Sequence, residues 1–232
     1  MQLEILSGGA AQGLVAAVAP QLEAETGFGI GGSFGAVGAM RDHLLAGASA
    51  DVAILTSALI AELTRSGHVV AGSAADIGVV RTAIAVRSGD AAPEIGDAAS
   101  LRAALAGADA IYFPDPARAT AGIHFQKVMR QLGIADELAA RVRTFPNGAA
   151  AMTALAAQHG GRPIGCTQVT EILGTPGVLL AGHLPHEFEL VTVYAAAVAT
   201  NAAHPAEARR LANMLAGASA LAHRETAGFG PA

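Results

Sequence analysis

The chain has no tryptophan, a single cysteine and a single lysine, and aromatic residues make up only 4% of its 232 positions. Such a scarcity of rings leaves no stacking platform for bases or sugars. The formal charge of −5 at pH 7 removes the broad basic footprint that a nucleic-acid partner requires. Cys166 has no second cysteine to pair with, so an internal disulfide is excluded. Its neighbours are apolar or neutral, which favours a buried structural thiol over a nucleophile. No stretch approaches the ~20 apolar residues of a membrane helix, so no membrane insertion is expected. The N-terminus lacks a basic segment followed by an apolar one. As written, the chain is expected in the cytoplasm, or in the periplasm if a leader was removed. The histidines show no metal-ligand spacing; His183 and His186 stand three apart with Pro185 between them. No metal and no cofactor are expected. Lys127 apart, the basic residues are all Arg, the better bidentate partner for carboxylate or phosphate. In so Ala-rich a chain, codon bias explains that equally well.

What is present is an alternation of short apolar runs and helical patterns, with 52% hydrophobic residues to bury. Leu3–Leu6 reads as a buried strand, Ser7–Gly9 as a small-residue turn, and Leu14, Val15, Val18 and Leu22 as one face of a helix ended by Gly27. A strand from Phe28 to Phe34, a turn Gly35–Gly38 and a helix Ala39–Ala46 repeat the device. Gly27, Gly29 and Gly32 fit G-x-G-x-x-G, with Asp51 further on, but that run follows a helix and spans a strand, so the dinucleotide motif is rejected. Asp51–Leu55 is a strand and Leu59–Arg65 a helix. The run Asp76–Val86 is long for a strand and reads as a crossing between two lobes.

Ser100 is expected to cap a helix to Ala106, and Ala110–Phe113 reads as a strand. Thr120–Gln131 is a helix, Arg141–Phe145 a strand, and Asn147-Gly148 opens a helix to Gln158. Strands at Pro163–Thr167 and Val178–Leu180 and a turn at His183–His186 lead to Leu190–Ala197, a candidate return crossing. Helices at Glu207–Leu215 and Leu221–Arg224 follow. The fold class is therefore α/β: two lobes with mainly parallel sheets joined by two crossover strands. Lobe 1 is residues 1–80 plus 192–232, and lobe 2 is residues 81–191. Ligands of such sheets sit at the carboxyl ends of strands, in the cleft expected between the lobes.

Four small-residue turns precede helices, where unpaired N–H groups and the helix dipole favour an anion. The candidate ligand residues are Gly8, Gly9, Ala10, Ala36, Val37, Gly38, Ala121, Asn147 and Gly148 in those turns, with Arg81, Arg118, Thr120 and Gln168. Each has an ordinary alternative. The turns serve equally as tight strand–helix connections. Arg81 meets either a ligand carboxylate or a structural partner such as Asp51 or Asp76. Arg118 lies on a cleft rim or in solvent, and Thr120 and Asn147 bind ligand or cap their helices. His124 and Glu171 are the candidate catalytic groups, against a neutral histidine and an ordinary helix carboxylate.

Leu6-Ser7-Gly8-Gly9-Ala10, Phe34-Gly35-Ala36-Val37-Gly38-Ala39, Ala50-Asp51-Val52, Asp115-Pro116, Ala121-Gly122-Ile123 and Pro163-Ile164-Gly165 resemble, in order, the molybdate-binding proteins of ABC importers. The resemblance implies a type II periplasmic binding fold closing over a ligand. It implies N–H donors at Ala121 and near Ala150. The family's two pocket serines fall at Gly9 and Val37, and its pocket tyrosine at Gln168. Gln168-Val169-Thr170-Glu171-Ile172, Gly122-Ile123-His124-Phe125 and Arg81 look more like a divergent branch that includes aconitate isomerase. The expected partner is thus a small anion, with an organic carboxylate favoured over a molybdate-type oxyanion. The alternative is an isomerase moving a proton on an unsaturated tricarboxylic acid such as aconitate. An ABC permease is a partner only if the chain is exported, and a third reading keeps the fold for protein partners.

Overall fold

The computed structural model describes residues 1–231. Its elements run β1 (Gln2–Gly8), a 3-10 turn (Gly9–Ala11), α1 (Gln12–Thr26), β2 (Gly29–Gly35), α2 (Val37–Leu45), β3 (Val52–Thr56), α3 (Ser57–Arg65) and β4 (Ala75–Arg87). Then come α4 (Ala98–Ala106), β5 (Ile111–Pro114), α5 (Thr120–Gln131), α6 (Ala135–Leu138), β6 (Val142–Phe145), α7 (Gly148–Ala157), β7 (Ile164–Gln168) and α8 (Val169–Leu173). β8 (Val178–His183), β9 (Val191–Val198), α9 (Pro205–Ala216) and α10 (Leu221–Thr226) complete the order. The chain divides into two compact units, Met1–Val80 with the segment from Thr192 on, and Arg81–Val191.

In unit 1 the sheet order is β2-β1-β3-β9. β1 is parallel to β2 and to β3, as helical crossovers require. β9 lies antiparallel to β3; the chain reaches it from unit 2 with no crossover helix before it. All five residues of β3 are buried, because apolar side chains cover both faces of the sheet. Leu14, Val15, Val18 and Leu22 of α1 pack into this core with Leu211 and Leu215 of α9. Gly27 ends α1 at φ 75°, a left-handed conformation that glycine adopts without a steric penalty.

In unit 2 the order is β8-β4-β7-β5-β6, with β5 parallel to β6 and β7, and β4 antiparallel to β7 and β8. Period-two alternation splits the strand residues between two cores. Ile84, Ile111, Phe113, Ile164 and Cys166 face Leu101 and Leu105 of α4 and Phe125, Val128 and Met129 of α5. Ala83, Ala85 and Tyr112 face Met152 and Leu155 of α7.

Three local expectations change. Ser100 is not the N-cap of α4: Asp97 is, three residues earlier. Asp97 Oδ1 accepts from Ser100 N at 2.7 Å, and Ser100 Oγ accepts from Asp97 N at 3.0 Å, a reciprocal capping box. The strand expected to stop at Leu180 continues to His183, because it pairs with β4 as far as Ala83. The single turn α6 was not anticipated; its four residues are too few to show a helical period.

Gly122 fixes where α5 begins. A Cβ there would strike the carbonyl oxygens of Pro114 and Asp115, so only glycine lets the first turn of α5 lie against the end of β5. Backbone cannot move aside as a side-chain tip can. Gly122→Ala is therefore expected to destabilise the protein by about 1–3 kcal/mol, the usual cost of overpacking. An unchanged thermal midpoint would show that this approach is not tight.

Candidate functional site

In each unit the parallel strands end on one edge, and a helix starts after each. In unit 2 these are α5, α7 and α8, following β5, β6 and β7. The N-terminus of α5 has no side-chain cap: Ala119 holds the cap position and Thr120 is the first helical residue. Thr120 therefore does not play the capping role open to it. Gln168, the last residue of β7, is 3% exposed, yet neither its Nε2 nor its Oε1 has a hydrogen-bond partner. Thr82 stands opposite it in the β4–β7 register, fully buried, with its Oγ1 also unpartnered. Directly opposed residues of an antiparallel pair share a face. Thr82 and Gln168 have the parity of Ile84 and Cys166, whose face α5 covers. Thr170, in the first turn of α8, adds another buried and unpartnered hydroxyl. Each such group costs about 1–3 kcal/mol if nothing meets it.

The opposite face of the same edge is filled. Asn147 caps α7, its Oδ1 accepting from Ala150 N at 2.8 Å. Glu171 is 8% exposed. Its carboxyl group accepts from the Thr167 hydroxyl and from the N–H groups of Gln168, Gly148 and Ala149. A Cβ on Gly148 would run into that carboxyl group and the Thr167 hydroxyl. Burial pushes the Glu171 pKa above its ordinary value of 4.5, and these hydrogen bonds pull it part of the way back.

In unit 1, Gly8 and Gly35 are register partners, so the turns after β1 and β2 leave the sheet side by side. Gly9 and Ala10 form the 3-10 turn, Ala36 is the N-cap of α2, and Val37 and Gly38 are its first residues. Neither turn carries a side-chain cap, whereas Thr56 caps α3 through Leu59 N. Gly8 is glycine for a packing reason. A Cβ there would lie 2.7 Å from Val37 Cγ1 and 2.9 Å from Tyr194 Cε1. Tyr194 in turn packs edge-on against Phe229. Thr192, on β9, has a buried hydroxyl with no partner.

Arg81 donates from Nε to Glu189 Oε1 at 2.6 Å. Asp51 instead receives the N–H groups of Glu4 and His204, and Asp76 the hydroxyl of Ser57. Arg118 is exposed. His124, half-buried at the start of the second turn of α5, has Nε2 2.8 Å from the Phe188 carbonyl oxygen. A carbonyl only accepts, so Nε2 carries the hydrogen and the neutral ring keeps its lone pair on Nδ1. Cys166 is fully buried, and burial pushes its thiol pKa well up. Among the described residues, no group of three or more His, Cys, Asp or Glu is placed to hold a metal ion, and no helix is long and apolar enough to cross a membrane. A cavity of about 330 Å³ lies at the other edge of unit 2, beside Val86, Pro163 and Ile164, and its walls are mainly apolar.

Sequence reasoning did not single out Thr82, Thr167, Thr170 or Tyr194. The signal for Thr82 was a polar residue inside an apolar strand. Its pairing with Gln168 is a register that the sequence does not display.

Comparison with known proteins matches residues 3–230 to the family described as bacterial extracellular solute-binding protein. An aconitate isomerase from a Pseudomonas species is 27% identical over 237 residues, covering 99% of this chain and 87% of that protein. The periplasmic molybdate-binding protein of Azotobacter vinelandii superimposes with a TM-score of 0.82 at 20% identity, over 99% of each chain. A sulfate-binding protein of Mycobacterium tuberculosis gives 0.75 at 18% identity, over 100% of this chain and 87% of that one. The fold is that of the type II periplasmic binding proteins.

The raised pKa of Glu171 has a measurable consequence. A carboxyl group that binds its proton more tightly when folded adds stability below its unfolded value, and that stability is lost as pH rises through the folded value. Glu171→Gln has no such proton. From 4.5 upward, the melting temperature of the wild type is expected to fall relative to the Gln variant. A difference that stays flat with pH would contradict the burial of an ionisable Glu171.

Proposed function

Because the chain belongs to the bacterial extracellular solute-binding protein family, we propose that it binds a small organic acid through its carboxylates, using donors at the carboxyl edges of its units. The observation that carries this reading is the Gln168 side chain, buried and unpartnered on the sheet face that α5 covers, while α5 itself starts without a cap. A carboxylate suits N–H donors at a helix start, where the dipole also favours negative charge. In unit 1 the turns at Gly9–Ala10 and Val37–Gly38 offer backbone N–H groups but no side-chain hydroxyl. Gln168 further argues for an organic ligand. Its amide both donates and accepts. A deprotonated tetrahedral oxyanion only accepts and leaves Oε1 unpaired; an organic acid has room to bring a hydroxyl or a water to it. A periplasmic location and an ABC permease as partner go with this reading.

A second reading is favoured by the aconitate isomerase relative and by the geometry of His124. With Nε2 tied to Phe188, Nδ1 is the lone pair left to take a proton. Isomerisation of an unsaturated tricarboxylic acid removes a proton at one allylic carbon and returns it at the other as the double bond shifts. The charge that builds on the carboxylate in between is stabilised by N–H donors.

Thermal melts against citrate, cis- and trans-aconitate, succinate, molybdate, tungstate and sulfate test the binding reading. A ligand at 100 times its Kd adds about 2.7 kcal/mol, which moves the midpoint of a chain of this size by about 5–10 °C. No shift with any carboxylate would overturn it. Gln168→Leu removes two unpartnered atoms, so the free protein is expected to melt no lower than wild type, while the ligand shift disappears. For the second reading, NMR of the vinylic protons of trans-aconitate would show interconversion with wild type and none with His124→Ala. No interconversion with wild type removes that substrate.

A further inference from the structure

We propose that Glu171 sets the anion selectivity of unit 2 by keeping the N-terminus of α7 permanently occupied. The inference rests on the anion-binding reading and sharpens it. The donors around Glu171 are three backbone N–H groups, from Gln168, Gly148 and Ala149, and the hydroxyl of Thr167. That is the donor set an external carboxylate or oxyanion would need. Here it is taken by a residue of the chain itself, and the space that a Cβ on Gly148 would fill belongs to the carboxyl group and Thr167.

The same strand end points its other polar residue the opposite way. Thr167 has the parity of Ala83, on the α7 face, and Gln168 that of Cys166, on the α5 face. The buried amide of Gln168 is left without a partner while its neighbour Thr167 donates its hydroxyl to Glu171. After β5 and β6, the two parallel strands at this end of the sheet, an incoming anion therefore meets one capped helix start, that of α7, and one uncapped, that of α5, with the Gln168 amide on the face that α5 covers. This suffices for the two oxygens of a carboxylate and falls short for a compact tetrahedral dianion. Once ionised, Glu171 adds repulsion, which weighs more on a concentrated dianion than on charge spread over an organic acid.

Two variants separate the donor cradle from the charge. Glu171→Ala empties the donor cradle; Glu171→Gln keeps it filled and removes the charge. Sodium formate, sodium molybdate and trans-aconitate are the probes, read by thermal melts and calorimetry. Formate is expected to raise the midpoint of Glu171→Ala by about 5 °C more than that of wild type or Glu171→Gln, because it refills the cradle. The affinity for molybdate relative to trans-aconitate is expected to rise about tenfold or more in both variants, a change of about 1.4 kcal/mol. If formate acts alike on all three proteins and the ratio stays unchanged, Glu171 is not a selectivity residue, and the carboxylate reading is untouched. If wild type binds no carboxylate, that reading fails, and the formate result for Glu171→Ala still decides whether Glu171 fills an anion cradle. Should Glu171→Ala not fold, the ratio in Glu171→Gln decides.

Discussion

The first N–H groups of every helix need an acceptor, and how each helix start meets that need organises this protein. α3 uses the hydroxyl of Thr56, α4 the carboxyl group of Asp97, and α7 the side chains of Asn147 and Glu171. The other helix starts, among them the turn after β1, α2 and α5, have no side-chain cap. The distribution is uneven in a useful way. Open and closed helix starts stand on the same edges of the sheets, so the fold presents donors at chosen positions and withdraws them at others.

Three glycines at these turns show how differently the same residue is used. Gly8 yields space to Val37 and Tyr194, Gly122 to the backbone of Pro114 and Asp115, and Gly148 to Glu171 and Thr167. In the first case the glycine lets side chains pack, in the second it lets a helix start close to a strand end, and in the third it admits an internal carboxyl group. All three read alike in the sequence, as small residues before a helix. The difference lies in partners as far away as Tyr194 is from Gly8.

Much of the fold was legible because its signals are local. Leu14, Val15, Val18 and Leu22 repeat with the helix, and Gly27 stops it. The apolar run Val52–Leu55 of β3 announces burial on both faces. The length of β4 read as a crossing between two lobes, and the boundary between the compact units falls within it. Side-chain partners were not legible. Arg81 finds Glu189, 108 positions away, in place of the aspartates nearer in sequence. Ser100 looked like a cap because serine caps helices, but Asp97 three residues earlier offers the first turn a charged acceptor and takes the position. Glu171 read as either a catalytic group or an ordinary helix carboxylate; it is buried because α8 starts against the opening turn of α7.

The sequence by itself determined which segments are the longer strands and helices, and that small-residue turns introduce several of the helices. Those follow from hydrophobic period and from backbone freedom, which neighbouring residues set. The tertiary structure decided which helix starts stay open. It placed Glu171 over α7, paired Thr82 with Gln168 across two strands, and left that amide without a partner on the α5 face. Such choices depend on strand register and on which face a side chain takes, and a shift of one residue would reverse each of them.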